Sequence, residues 1–165
     1  MEMPQEHLWY CKRWGVFTVL ILNHWFLMMQ SNDISVKVLL ELHLPFMICW
    51  GGGVQDTFDA AFSLDVIEHI PEKSEKLFID NIISSLSDQG VLIVGTPNIT
   101  ANEYASPVSK AGHINLKSAD TLKNLLSQSF HNVFIFSMND ELVHTGYSPM
   151  AHYLLVMGVG VRRDK

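Results

Sequence analysis

Four side chains in this sequence could take up or give up a proton at one place: Asp65, Glu68 and His69 in LDVIEHIP, and His113 in AGHIN. An unperturbed imidazole titrates near neutral pH, so His69 and His113 are candidate general bases for an acceptor hydroxyl that must lose its proton. Asp65 and Glu68 also have a plainer account. The first can begin a turn, and the second places negative charge ahead of a helix, where the helix dipole favours it. The same four groups could hold a metal ion, but their spacing matches no strong zinc pattern and no metal is expected. His131, His144 and His152 read as ordinary surface or core residues.

The elements around these residues decide whether they meet. Phe58, Ala60, Ala61, Phe62 and Leu64 form a nearly unbroken apolar run, which predicts a strand over residues 58–64 covered on both faces of a parallel sheet. In an open α/β sheet ligands sit at the carboxyl ends of strands, and Asp65, Glu68 and His69 fall there. Pro71 suits the first position of a helix over residues 71–87, with Phe78, Ile82, Ile83 and Leu86 on one face. Asp88, Gln89 and Gly90 form its exit, with Gly90 a natural left-handed cap. Residues 91–94 are then a second buried strand, ended by Thr96, Pro97 and Asn98 at the same edge as Asp65. Residues 99–117 read as a long polar loop. Ser118 caps a helix bearing Leu122, Leu125 and Leu126, and strands are predicted over residues 133–138 and 153–159.

FDAAFSLDVIEHIPEKSEKLF from Phe58, GVLIVGTPN from Gly90 and GHINLKSADTLKNLL from Gly112, in that order, resemble class I S-adenosylmethionine-dependent methyltransferases from their fourth strand onward. The resemblance fades near Gly158. It implies an α/β fold: a Rossmann-like methyltransferase sheet, mostly parallel, with a C-terminal antiparallel hairpin. It implies S-adenosylmethionine as cofactor, with the backbone of Ser63, Leu64 and Asp65 lining its methionine end and Glu68 nearby. Residues 99–117 would lie on the acceptor side, and the acceptor would be a small molecule. The family also holds its cofactor with a glycine-rich turn after the first strand and an acidic residue ending the second. Neither is found before Phe58, so the sheet is expected to be incomplete on its N-terminal side, as in a truncated or internally deleted enzyme. The alternative is a catalytically inactive remnant or a partner-binding fragment.

Residues 1–54 differ from the rest. All 4 Trp and both Cys, Cys11 and Cys49, lie in the first fifty residues. That shift divides the chain into a divergent apolar leader, a methyltransferase-like unit over residues 55–160 and a basic tail, 161–165. Residues 16–29 are apolar but interrupted by Asn23 and His24 and fall short of the ~20 residues of a membrane span, so a buried helix or strand is expected there. Val36, Val38, Leu40, Leu42 and Leu44 alternate with polar residues, which favours another strand. Gly51, Gly52 and Gly53 lead into a strand and not a helix, so they are a linker and not a phosphate loop.

With 165 residues the chain has enough length for one domain and a substantial core. Hydrophobic content of 48% and charged content of 17% exclude a disordered chain. A net charge of −6 with scattered Lys and Arg argues against a nucleic-acid partner. Two distant cysteines in no CxxC pattern suit reduced thiols and a cytoplasmic protein.

Overall fold

A computed structural model describes residues 18–22 and 57–163. Its frame is a six-stranded mixed sheet of β1 (Thr18–Leu22), β2 (Phe58–Leu64), β3 (Leu86–Pro97), β4 (Phe130–Asn139), β5 (Leu142–His144) and β6 (Tyr153–Val161). In space the order is β1, β2, β3, β6, β4, β5. β2 and β3 run parallel, with Phe62 opposite Ile93 and Leu64 opposite Gly95. Parallel neighbours need a crossover, and α1 (Glu72–Ser84) supplies it. β6 then lies antiparallel between β3 and β4, so the expected α/β sheet with an antiparallel pair at its C-terminal side is present.

β1 is antiparallel to β2, with Thr18 opposite Leu64 and Leu22 opposite Ala60. Its N-terminal end therefore lies beside the end of β2. The apolar segment at residues 16–29 thus contains a strand. The strand expected within residues 34–44, the glycine linker and both cysteines lie outside the described residues.

One core joins sheet and helices. Phe78, Ile79, Ile82 and Ile83 of α1 are buried, as are Leu122, Leu125 and Leu126 of α3 (Ala119–Ser127). They meet Ala61, Leu92, Val94, Phe130, Leu154 and Val156 from the strands in one apolar cluster. α3 begins where the sequence places it. Ser118 accepts from the Thr121 N–H while the Thr121 hydroxyl accepts from the Ser118 N–H, closing a capping box that satisfies two otherwise orphaned donors.

Several expectations need correction. Pro71 is the residue before α1, in extended backbone, and α1 stops at Ser84, so Leu86 belongs to β3 and not to the helix. Gly90 is no left-handed cap either. It lies inside β3, where the register slips between Phe58 opposite Leu86 and Ala60 opposite Val91. The strand doubles back so tightly that a Cβ at Gly90 would sit 2.8 Å from both Leu86 Cβ and the Ser87 carbonyl. Residues 99–117 are not an open loop: a 3-10 turn (Ile99–Tyr104) and α2 (Pro107–Gly112) fill most of the stretch. In the basic tail, the Arg163 guanidinium pairs with Asp88 and donates to the Ile83 and Leu86 carbonyls. That places a cation at the C-terminal end of α1, on the Ile83 carbonyl, where the helix dipole favours one.

Candidate functional site

The ends of β2 and β3 meet where the sequence puts them. The Asp65 N–H donates to the Gly95 carbonyl at 3.1 Å, extending the backbone pairing of β2 and β3 one residue past Leu64. Asp65 then takes φ 56, a left-handed conformation in which short acidic side chains are tolerated better than most. That kink turns the chain into a 3-10 turn (Ile67–His69), which buries Ile67 and Glu68.

Glu68 is the unusual residue. It is 1% exposed, and its Oε2 accepts from the Thr96 hydroxyl at 3.0 Å across the strand ends. Oε1 is buried with no hydrogen-bond partner and lies 3.9 Å from His69 Nε2. Burial, with a smaller push from the Asp65 charge, raises the Glu68 carboxyl to about 7. The Glu68 carbonyl is fixed as well, accepting from the Asn115 N–H at 3.0 Å.

His69 and His113 are brought together by α2. The last residue of that helix, Gly112, offers its carbonyl to His69 Nδ1 at 2.9 Å. A carbonyl only accepts, so Nδ1 carries the proton and the neutral ring presents its lone pair at Nε2. The next residue, His113, meets the His69 ring edge-on at 5.1 Å and 70°. Burial lowers both imidazoles from their ordinary value, and for His113 the neighbouring His69 lowers it further. Both rings are therefore neutral at pH 7, the state a proton acceptor or a metal ligand requires. One ligand atom from each of Glu68, His69 and His113 lies within 4.8 Å of the others.

Ser63 and Leu64 end β2. Ser63 is fully buried and its hydroxyl has no hydrogen-bond partner, an orphaned polar atom beside the kink. Leu64 is exposed.

The sequence did not single out Tyr153, Asn115, Lys117 or Gly112. Tyr153 opens β6 opposite Pro97, and its hydroxyl hydrogen-bonds Asp65. Burial, then the Asp65 carboxylate, push that phenol well above its ordinary range, so it stays protonated and donates. Gly95 makes the approach possible, since a Cβ there would lie 2.8 Å from the Tyr153 hydroxyl oxygen. Lys117, 6% exposed, pairs with Glu75 of α1, and both join Asn115 in one buried network. Tyr153 had a sequence signal, because an antiparallel strand beginning after a long connection returns to the edge that β3 ends on. The lysine had none, as its partner lies 42 residues earlier, a separation of Glu75 and Lys117 in the numbering.

No protein-family model matches the chain, and no curated protein matches it. Solved structures do resemble it. The small RNA methyltransferase HEN1 is 18% identical, with TM-score 0.46 over 64% of this chain and 14% of its own. An O-methyltransferase family protein from Burkholderia thailandensis is 12% identical, with TM-score 0.46 over 67% of this chain and 32% of its own. The N-methyltransferase NodS from Bradyrhizobium japonicum WM9, solved with S-adenosyl-L-homocysteine, is 18% identical, with TM-score 0.44 over 68% of this chain and 50% of its own. The chain thus spans half or less of these proteins' lengths. Likeness this loose carries no argument about the site, which rests on the chain's own residues.

Proposed function

We propose that this chain transfers a methyl group from S-adenosylmethionine to a small-molecule acceptor, with residues 55–160 as the methyltransferase-like unit between a divergent leader, 1–54, and a tail, 161–165. The observation that carries the reading is the shared edge: two parallel strand ends with an orphaned Ser63 hydroxyl, a kinked Asp65, a buried Glu68 and two neutral imidazoles beside them. On this reading the backbone of Ser63, Leu64 and Asp65 lines the methionine end of the cofactor, with Glu68 nearby. When bound, the cofactor supplies an electrophilic methyl on a sulfonium sulfur.

The residues of the chain then have to hold the acceptor in line and take its proton. As the acceptor oxygen bonds to the methyl carbon, the carbon–sulfur bond breaks and its electron pair stays on sulfur, leaving neutral S-adenosylhomocysteine. The acceptor proton goes to the Nε2 of His69 or to His113. Holding the two reactants at the correct angle supplies much of the rate, and a positioned base adds ~10²–10⁴-fold. A net charge of −6 favours a small acceptor over nucleic acid. Among the described residues no helix is long and apolar enough to cross a membrane, and a cytoplasmic location goes with this reading.

One observation favours the alternative of an inactive remnant. In the resembling family the glycine-rich turn follows a strand ending at this same edge, whereas β1 presents its N-terminal end here. Calorimetric titration with S-adenosylmethionine and S-adenosylhomocysteine separates the two. Saturable binding at one site supports the enzyme, and no heat at millimolar ligand leaves the remnant.

A further inference from the structure

Side chains alternate along a strand, so neighbours in sequence point to opposite sides of a sheet. Ala61, Leu92, Val94, Leu154 and Val156 point to the side where α1 and α3 pack, and are buried there. The residues between them point the other way. Strand register sets Phe62 opposite Ile93, Ile93 opposite Met157 and Met157 opposite Phe134, an apolar row across β2, β3, β6 and β4. A second row runs from Leu64 through Gly95 and Leu155 to Phe136. None of the side chains in these rows is fully buried, and Phe134 is 49% exposed. Among the described residues α1 and α3 lie on the first face, and α2 buries no apolar side chain with which to cover the second.

We infer that residues 23–56 of this same chain dock on the second face and cover it. The inference stands whether or not the chain transfers methyl groups.

Composition, connection and size choose this occupant. Residues 23–56 include WFLMM from Trp25, FMICW from Phe46 and the alternating apolar set from Val36 to Leu44, while Asp33, Lys37, Glu41 and Asp56 are their only charged residues. A segment that apolar gains most by leaving water. It joins β1 to β2, and Leu22 lies opposite Ala60, so both of its attachments are at one corner of the sheet. From that corner the first face is already taken by α1 and α3. Four strands about 4.8 Å apart make a face about 19 Å wide. A helical limb of about 13 residues crosses that width, and an extended one needs fewer. Residues 23–56 are long enough to cross and return.

A second copy of the chain suits the face less well. From Ala60 to Leu64 a strand is about 17 Å long, so the face measures about 300 Å² in projection. A stable dimer buries about 800 Å² on each partner.

Tryptophan fluorescence tests the docking, because all 4 Trp lie in the first fifty residues and none is in the rest of the chain. Trp9→Phe with Trp14→Phe in the full chain leaves Trp25 and Trp50 as reporters. Their emission is expected at the blue end, with weak quenching by acrylamide. Phe134→Lys and Met157→Lys should each shift it to the red and raise quenching about twofold or more, since burying a lysine charge costs more than releasing the segment. Val108→Lys, on exposed α2, should change neither. Circular dichroism checks that each variant is folded, and Phe134→Lys, at an already exposed position, keeps the test open if Met157→Lys does not fold. Emission typical of water-exposed tryptophan in the starting protein overturns the inference. So does buried emission that neither face variant alters, because the segment is then packed elsewhere. Light scattering should give a monomer, and a dimer that Phe134→Lys splits would overturn the inference by making the face a contact between copies.

Discussion

The two ends of this sheet are built on opposite principles. Where α1 and α3 pack on the strands, the core is hydrocarbon: Phe78, Ile79, Ile82, Leu122, Leu126 and Phe130 are buried together. At the β2 and β3 ends, buried polar atoms crowd one edge, with Ser63 Oγ and Glu68 Oε1 unsatisfied and Asp65 left-handed. The apolar region can only stabilise. The polar edge costs stability that a well-packed apolar edge would not, and such departures concentrate at sites kept for binding or catalysis.

Substitutions at the two ends should therefore differ in kind. Phe78→Ala should lower unfolding free energy by about 3–5 kcal/mol in urea titration, through lost burial and the cavity left behind. S-adenosylhomocysteine affinity, measured on the folded fraction, should not change. A large loss of affinity would mean that the two ends are not separable.

Lys117→Ala should cost less, about 2–3 kcal/mol, by leaving the half-buried Glu75 carboxylate with no cation. A cost below about 1 kcal/mol, the range of surface pairs, would show that the network is solvated.

Glu68 predicts a dependence on pH. Its carboxyl sits at about 7 in the folded chain against 4.5 as an ordinary carboxyl, so folding holds the proton more tightly. Its contribution is therefore fully present below pH 4.5 and is lost as pH rises through 7, a fall of about 3 kcal/mol from the shift alone. Urea midpoints measured at pH 5 and pH 8 should show it. Glu68→Gln should flatten that dependence, and an unchanged slope in the variant would assign it to other groups.

The smallest effects separate two left-handed residues. Asp140, φ 51, lies in the turn between β4 and β5, whereas Asp65 lies at the site. Asp140→Gly should stay within about 0.5 kcal/mol of the native chain, because relief of strain and the entropy of glycine nearly cancel. Asp65→Gly also loses the Tyr153 hydrogen bond and should cost about 1 kcal/mol or more, with weaker S-adenosylhomocysteine binding. Equal effects at both positions would remove the functional distinction.

Local chemistry made much of this legible in advance. A nearly unbroken apolar run gave β2 its limits, Ser118 marked the start of α3, and apolar spacing named the buried face of α3 and most of that of α1. Chain exits were harder. Gly90 looks like a helix cap because glycine suits one, yet β3 uses it where the strand folds back on itself, a matter of close approach and not of φ. Residues 99–117 looked like open loop because they are polar, and polarity does not distinguish a loop from short helices with exposed faces.

Sequence alone determined that Asp65, Glu68 and His69 would stand at a strand end, because the apolar run of β2 stops at Leu64 and polar groups follow it. Tertiary structure alone decided what they face. The crossover through α1 and the return of α2 set His113 against His69 and Thr96 against Glu68, and the pairing of β6 with β3 sets Tyr153 against Asp65. Those meetings join residues far apart in the chain, and they are fixed by helix packing and strand register, which no local spacing encodes.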